Sequence, residues 1–313
     1  MNFISTRGGE KVTGAQAIVK GLADDGGLFV PENFPPVTRE ELEEMLPLSY
    51  PERAAKVLSK YLDDYDGAEL LSALEAAYSK FDGDPAPLVR IDEGIYILEL
   101  WHGPTCAFKD MALTVLPYLL RKGADICGIK QNILILVATS GDTGKAALEG
   151  FKDAPGIKIM VFYPDDGVSK MQKLQMCTQE GSNVNVVAVK GNFDDCQTAV
   201  KKIFADKEYA KILAEKNVIL SSANSINFGR LAPQIAYYFS AYLDLVSGGQ
   251  IEIGEEIDFS VPTGNFGNIL AAYYAKRMGL PIRRLHCASN MNNILTDFFA
   301  SGSYDTHREF YKT

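Results

Sequence analysis

The stretch that decides the fold is 133–145, Ile-Leu-Ile-Leu-Val-Ala-Thr-Ser-Gly-Asp-Thr-Gly-Lys. Its first six residues, 133–138, form an uninterrupted apolar run, which is typical of a strand that is covered on both faces in a parallel sheet. The small and polar residues 140–144 predict a turn, and a helix is predicted from Lys145. A strand, a turn and a helix in this order indicate an α/β fold.

The same order recurs along the second part of the chain. Further strands are predicted at 95–98, 157–163, 184–189, 218–220, 258–262 and 282–288, with helices at 192–204, 230–245 and 268–278. This alternation predicts one parallel sheet. Because ligands of such sheets bind outside the carboxyl ends of the strands, we expect the functional residues in the loops after 138, 163, 220, 262 and 288.

The first part of the chain has a different texture. It is charged and follows the helical period, as at 53–62 and 68–78. The sequence Asp-Gly-Asp-Pro-Ala-Pro at 82–87 then interrupts every pattern. Since 313 residues also exceed what one hydrophobic core usually serves, we predict a small, mainly helical domain at 1–85 and a second domain at 86–313.

The composition limits the partners. The chain carries 31 Lys and Arg against 40 Asp and Glu, a net charge of -9, so its average field repels nucleic acid. It has no apolar run long enough to span a bilayer and no signal-peptide pattern at its start. The five cysteines form no C-x-x-C pair and the three histidines are scattered, which favours a reducing cytoplasm and disfavours a zinc site.

A glycine-rich turn is the first candidate ligand loop. Residues 264–268, Gly-Asn-Phe-Gly-Asn, follow a predicted strand and open a helix. Two glycines let the backbone approach a ligand, and the helix N-terminus adds partial positive charge, so the loop suits a phosphate. The alternative is a tight turn that binds nothing. The absence of G-x-G-x-x-G argues against a dinucleotide loop.

The turn at 139–145 resembles a Walker A loop but fails its requirements. That motif needs glycine where Thr139 stands and Ser or Thr where Ala146 stands. What remains is a loop rich in hydroxyls and amides at a helix N-terminus, which suits a carboxylate. The alternative is a helix N-cap made by Ser140 or Asp142.

A lysine among apolar and small residues is the third candidate. Residues 101–110, Trp-His-Gly-Pro-Thr-Cys-Ala-Phe-Lys-Asp, precede a predicted apolar helix at 111–120. Burial favours the neutral, nucleophilic form of a lysine amine, which forms imines. The alternative is an exposed Lys109–Asp110 pair at the start of a helix. Together with a phosphate loop and a carboxylate loop, the lysine supplies what an amino-acid enzyme using pyridoxal 5′-phosphate (PLP) needs.

The sequence also resembles the threonine synthase family. The segments that carry the resemblance are 5–8, 25–31, 102–110, 139–144, 221–227 and 262–268. The lysine segment and Ser-Ser-Ala-Asn-Ser-Ile-Asn at 221–227 are the most specific of them. The resemblance implies the parallel-sheet PLP fold of type II, also called tryptophan synthase β-like, with a small N-terminal domain. It also implies a C-terminal part beyond Thr313, including the residue that faces the pyridine nitrogen.

The resemblance implies a role for each matching residue. Lys109 carries PLP as an imine and then moves protons, and Asp142 lies near the cofactor ring. The cofactor phosphate is expected at Gly264, Asn265, Phe266, Gly267 and Asn268. The substrate carboxylate is expected at Thr139, Ser140, Gly141 and Thr143. The phosphate of the substrate is expected at Asn224, Asn227 and Arg230, although Arg230 has a structural role in the helix as its alternative.

The activity implied is the PLP-dependent conversion of O-phospho-L-homoserine and water to L-threonine and phosphate. This is a carbon–oxygen lyase reaction that ends threonine biosynthesis. One alternative is a related lyase such as a serine or threonine dehydratase, but its substrate has no phosphate for segment 224–230 to bind. The other is a non-catalytic relative that binds PLP or a phosphorylated metabolite. The sequence indicates no oligomeric state.

Overall fold

The computed structural model describes residues 1–139, 141–305 and 307. Within these residues, no helix combines the length and the apolar character needed to cross a membrane. The described residues form four separate sheets and a set of helices around them.

The N-terminal region begins with a small antiparallel sheet that the sequence analysis did not predict. Strand β1 (Asn2–Ser5) lies between β2 (Lys11–Thr13) and β3 (Phe29–Pro31). Alternate residues of β1 are buried, and the ring of Phe3 packs edge-on against Phe228, with 4.6 Å between the ring centroids. The strand therefore ties the start of the chain to a helix far along it.

Four helices follow and confirm the predicted helical character of this region. They are α1 (Gly14–Lys20), α2 (Arg39–Met45), α3 (Tyr50–Ser59) and α4 (Gly67–Tyr78). Each begins after a Ser, Thr or Asp, as expected for residues whose side-chain oxygen accepts from the free N–H groups of the first turn.

The next segment departs from the prediction of a single parallel sheet. Strands β4 (Leu88–Asp92) and β5 (Ile95–Leu98) pair antiparallel as a hairpin, so the strand predicted at 95–98 does not join that sheet. The helix predicted at 111–120 is divided into α5 (Asp110–Leu113) and α6 (Leu116–Ile126). Pro117 near the start of α6 has no N–H to continue the earlier helix.

A four-stranded parallel sheet confirms the predicted strands that follow. Its strands are β6 (Asn132–Ala138), β7 (Ile157–Pro164), β8 (Val184–Val189) and β9 (Val218–Ser222), in the order β8-β7-β6-β9. The connecting helices are α7 (Asp142–Phe151), α8 (Lys170–Cys177), α9 (Phe193–Ala205) and α10 (Lys207–Glu215). Helix α7 begins at Asp142, three residues before the predicted start.

The last strands form a pair of their own. Helix α11 (Phe228–Ser247) is buried along most of its length and packs against α3 and α12 (Gly267–Arg277). Strands β10 (Ile257–Pro262) and β11 (Ile282–Ala288) pair parallel with each other, and helix α13 (Ile294–Ser301) follows. In the described part of the chain this pair is separate from the four-stranded sheet, so the prediction of one sheet was wrong here.

The hydrophobic core extends across the predicted domain boundary. Buried residues from both sides of residue 85 belong to one continuous cluster. Because residues on both sides of the boundary share this core, the division into two domains at 1–85 and 86–313 stays a prediction.

Candidate active site

Four of the predicted segments meet at one end of the parallel sheet. Because β6 and β9 are parallel neighbours, their carboxyl ends lie side by side, and Asn224 Nδ2 donates to the carbonyl oxygen of Ala138 at 3.2 Å. A Cβ added at Gly267 would lie 3.9 Å from the Cβ of Ser225. The lysine segment joins them through an ion pair between Lys109 and the loop after β6.

The amine of Lys109 is held by Asp142. Its Nζ lies 2.9 Å from Oδ1 and 3.0 Å from Oδ2 of that carboxylate, and 4.4 Å from the centroid of the Phe108 ring. The Lys109 side chain is only 14% exposed, whereas that of Asp142 is 51% exposed. The alternative of a solvated Lys109–Asp110 pair is therefore wrong, and the amine faces the loop that was predicted to bind ligands.

The carboxylate of Asp110, the next residue in the sequence, makes its hydrogen bonds within the turn before Lys109. Asp110 is buried, and it accepts hydrogen bonds from the backbone N–H of Thr105 at 2.8 Å and from the Thr105 hydroxyl at 2.6 Å. Burial raises the pKa of Asp110, and these hydrogen bonds oppose that rise. A Cβ added at Gly103 would lie 2.5 Å from the Cβ of Asp110, so the turn before Lys109 packs tightly on this side chain and is fixed by it.

The loop after β6 is tied together by one hydroxyl. Thr139 Oγ1 accepts from the N–H groups of Gly141 and Gly144, each at 3.1 Å, and donates to the carbonyl oxygen of Gly141 at 3.1 Å. The hydroxyl predicted to hold a substrate carboxylate is thus used inside the loop. The first N–H groups of α7, at Asp142 and Thr143, have no intrahelical acceptor and suit an anion.

The expected N-cap of α7 is not made by Asp142. The N-cap position is Gly141, and no side chain from that position caps the helix. The carboxylate of Asp142 instead forms an ion pair with Lys109. Ser140, predicted both as a possible cap and as a carboxylate ligand, lies outside the described residues.

The glycine-rich loop is open. A Cβ added at Gly264 would have no heavy atom of the described chain within 4 Å, and one added at Gly267 would have only Ser225. Asn265 is exposed and Phe266 is 38% exposed. No protein atom near these positions demands glycine, and the loop precedes the N-terminus of α12, so the residues present fit a phosphate group.

Arg230 is a buried cation without a carboxylate partner among the residues that the structure describes. Its Nη1 donates to the carbonyl oxygen of Ala223 at 2.7 Å, and its buried Nε has no hydrogen-bond partner in the described part of the chain. Burial lowers the pKa of Arg230 to about 10, against the opposing effect of the charge on Asp142. The guanidinium is therefore charged at neutral pH, and an anion is what would compensate it.

Asn227 corrects one prediction. Its side chain is fully buried, and Nδ2 donates to the carbonyl oxygens of Ile18 and Ser222, each at 2.9 Å. Its Oδ1 accepts from the N–H of Gly229 at 2.8 Å and so caps α11. Because both amide hydrogens are already donated within the protein, Asn227 orders the loop and does not bind the phosphate of a substrate.

Comparison with known proteins identifies the family. Residues 2–78 match the family model described as "Threonine synthase N terminus", and residues 81–310 match the one described as "Pyridoxal-phosphate dependent enzyme". The solved threonine synthase from Escherichia coli has a TM-score of 0.85 at 36% identity, covering 97% of this chain and 68% of that one. The chain belongs to the threonine synthase family of PLP-dependent enzymes.

Other relatives agree on the family and differ in length. The solved PLP-bound threonine synthase from Brucella melitensis has a TM-score of 0.90 at 40% identity, covering 100% of this chain and 65% of that one. Threonine synthase-like 1 of Pongo abelii is 45% identical over 97% of this chain, which spans 43% of that relative. The predicted fold class and cofactor class are confirmed, and the chain spans less than two thirds of several curated relatives.

Some residues near the threonine synthase-like site were not predicted. Thr105 and the buried carboxylate of Asp110 hold the lysine segment. Tyr237 and Tyr238 of α11 donate to the side chain of Asn268. The sequence signal for the tyrosines was their place inside an apolar helix, where a buried hydroxyl must find a partner.

Proposed function

We propose that this chain binds PLP and acts as a threonine synthase, converting O-phospho-L-homoserine and water to L-threonine and phosphate. The observation that carries the proposal is the buried guanidinium of Arg230, which has no carboxylate partner among the described residues. It lies on the helix that follows the Ser-Ala-Asn-Ser-Ile-Asn segment, whose Ser225 neighbours the glycine-rich loop. A second anion site beside a cofactor-phosphate loop suits a phosphorylated amino acid, whereas a dehydratase substrate has no such group.

The cofactor would be held by three parts of the chain. Lys109 would carry it, and Asp142 would lie close to its ring. The cofactor phosphate would be bound by Gly264, Asn265, Phe266, Gly267 and Asn268. When bound, PLP withdraws electrons from an amino acid and makes its Cα proton easier to remove.

The substrate would be oriented by its two charged ends. Its carboxylate fits the start of α7 at Gly141 and Thr143, in a loop that Thr139 keeps in shape and that includes Ser140. Its phosphate fits Arg230 and Asn224. A substrate fixed at both ends presents Cα, Cβ and Cγ in a constant position to Lys109.

The proton transfers would be the work of Lys109. Its amine would take the proton from Cα, and the carboxylate of Asp142, 2.9 Å away, would stabilise the resulting ammonium. A proton then leaves Cβ, phosphate departs from Cγ, and water adds its hydroxyl to Cβ. Protons return to the carbon skeleton, so that one water enters and one phosphate leaves.

Phosphate release from O-phospho-L-homoserine by the PLP-loaded chain tests the proposal. We expect Lys109→Ala to abolish release and Arg230→Gln to raise KM by about 100-fold, because a charge-assisted contact to the phosphate is lost. Arg230→Lys keeps the charge and should lose less. Binding of PLP at Lys109 serves as the control for folding of the Arg230 variants, and far-UV circular dichroism serves as that control for Lys109→Ala.

The same assay separates the alternatives. Ketoacid formation from L-threonine or L-serine without phosphate release would indicate a dehydratase. PLP binding at Lys109 with neither product would indicate a non-catalytic relative, and either result would overturn the proposed activity.

We also propose a cytoplasmic location. All five cysteines lie in the described part of the chain and are free, and two of them, Cys106 and Cys177, are exposed. Free exposed thiols suit a reducing compartment. The small-molecule substrate is the only partner proposed.

A further inference from the structure

Two buried tyrosines of α11 converge on one atom of the glycine-rich loop. The hydroxyls of Tyr237 and Tyr238 both donate to Oδ1 of Asn268, the latter at 2.7 Å. The Tyr238 hydroxyl also lies 3.2 Å from the backbone oxygen of Asn268. Asn268 is the second residue of α12, directly after Gly267.

This arrangement determines which way the Asn268 amide points. Tyr237 and Tyr238 are 0% and 3% exposed, and burial raises the pKa of both, so each hydroxyl keeps a proton that it donates to Oδ1 of Asn268. A carbonyl oxygen has two lone pairs, and the two tyrosines use both. The Nδ2 end of the amide is thereby left as a donor for another acceptor.

The same helix links this loop to Arg230. The Tyr237 hydroxyl lies 3.3 Å from Oε1 of Gln234, whose Nε2 donates to the backbone oxygen of Arg230 at 2.6 Å. Arg230 and Tyr237 are seven residues apart, about 10 Å along the helix axis. Helix α11 therefore carries both Arg230, the cation proposed to bind the substrate phosphate, and Tyr237, which contacts Asn268 in the loop proposed to bind the cofactor phosphate.

We propose that Tyr237 and Tyr238 are positioning residues that orient Asn268 so that its Nδ2 donates to the phosphate of PLP. This rests on the proposed function, because it assumes that the glycine-rich loop holds that phosphate. The tyrosines do not touch the cofactor themselves. They act by preventing the amide from turning its oxygen toward an anion, which would be repulsive.

The test compares PLP with pyridoxal, which has the same aldehyde but no phosphate. Dissociation constants of both are measured from the visible absorption of their imines with Lys109, in the wild type, Tyr237→Phe, Tyr238→Phe and the double variant. We expect the preference for PLP over pyridoxal to fall about tenfold in the double variant, with pyridoxal binding unchanged. Phenylalanine keeps the ring, so the packing of α11 is retained.

Tyr242→Phe is the matched control. Tyr242 is a fully buried tyrosine on the same helix, and its hydroxyl accepts from the N–H of Gly254 at 2.7 Å, away from Asn268. The preference of the Tyr242→Phe variant for PLP over pyridoxal should equal that of the wild type. An unchanged preference in the double variant, or an equal loss of both ligands, would overturn the positioning role. If the wild type formed no imine with PLP, the proposed function itself would fail.

Discussion

Two glycine-containing turns follow strands of two different sheets, β6 and β10, and they use glycine for different reasons. In the turn after β6, a Cβ added at Gly144 would lie 2.6 Å from both Met176 Sδ and Thr139 Cγ2. In the turn after β10, a Cβ added at Gly264 would meet no described atom within 4 Å. The protein's own packing requires the first glycine, whereas only a ligand would require the second. The same residue type therefore has a packing role in the first turn and leaves room for the proposed ligand in the second.

The largest effect is expected from Thr139→Val in the turn that the protein itself packs. Valine has the shape of threonine but leaves the N–H of Gly141 without its acceptor, and it leaves the N–H of Gly144 with only the carbonyl oxygen of Gly141 at 3.3 Å. We expect the free energy of unfolding of the cofactor-free protein to fall by about 3 kcal/mol. Denaturant unfolding measures this, with Thr139→Ser as the control that keeps the hydroxyl. Equal stability of Thr139→Val and wild type would contradict the role given to this hydroxyl.

Gly144→Ala tests the same turn through packing. The new methyl would overlap Met176 and Thr139, and Thr139 cannot move without breaking its three hydrogen bonds. We expect a loss of about 2 kcal/mol in the free energy of unfolding. Thr139→Ser removes Cγ2, one of the two atoms that the new methyl would overlap. The free energy of unfolding of the double variant Thr139→Ser/Gly144→Ala should therefore fall by less than the sum of the losses in the two single variants. Strict additivity would show that the two residues do not collide.

Gly264→Ala should have the smallest effect on stability and a selective effect on binding. With no neighbour within 4 Å, the methyl should change the free energy of unfolding of the cofactor-free protein by less than about 0.5 kcal/mol. PLP affinity should fall about tenfold, because the methyl occupies space beside the phosphate loop. A variant that binds PLP like the wild type would remove the distinction between the two turns.

The sequence predicted the strands of the four-stranded parallel sheet because each of them can be recognised from a short stretch of sequence. Each of its strands is mainly apolar and is followed by a helix, as at 133–138, and this pattern can be recognised without knowledge of distant residues. Strand pairing cannot be predicted in this way, because an apolar run such as 95–98 does not indicate which strand lies beside it. The antiparallel partner at β4 and the separate pair of β10 and β11 were missed for that reason.

The sequence predicted segments that lie close together in the structure, but it did not predict their contacts. The segments around Lys109, Asp142, Arg230 and the glycine-rich loop do come together. The role of Asn227 was not foreseeable, because its partner Ile18 stands 209 residues earlier in the chain. Thr139 was misjudged because a short loop close enough to bind a ligand is also close enough to bind itself.

The bond between Asn227 and Ile18 has a consequence for synthesis of the protein. At roughly 5–20 residues per second, a ribosome needs about 10–40 s to pass from the codon of Ile18 to that of Asn227. Throughout that interval, the carbonyl of Ile18 and the ring of Phe3 lack the partners they have in the finished molecule. Strand β1 therefore gains its contact with helix α11 only after that helix has been synthesised.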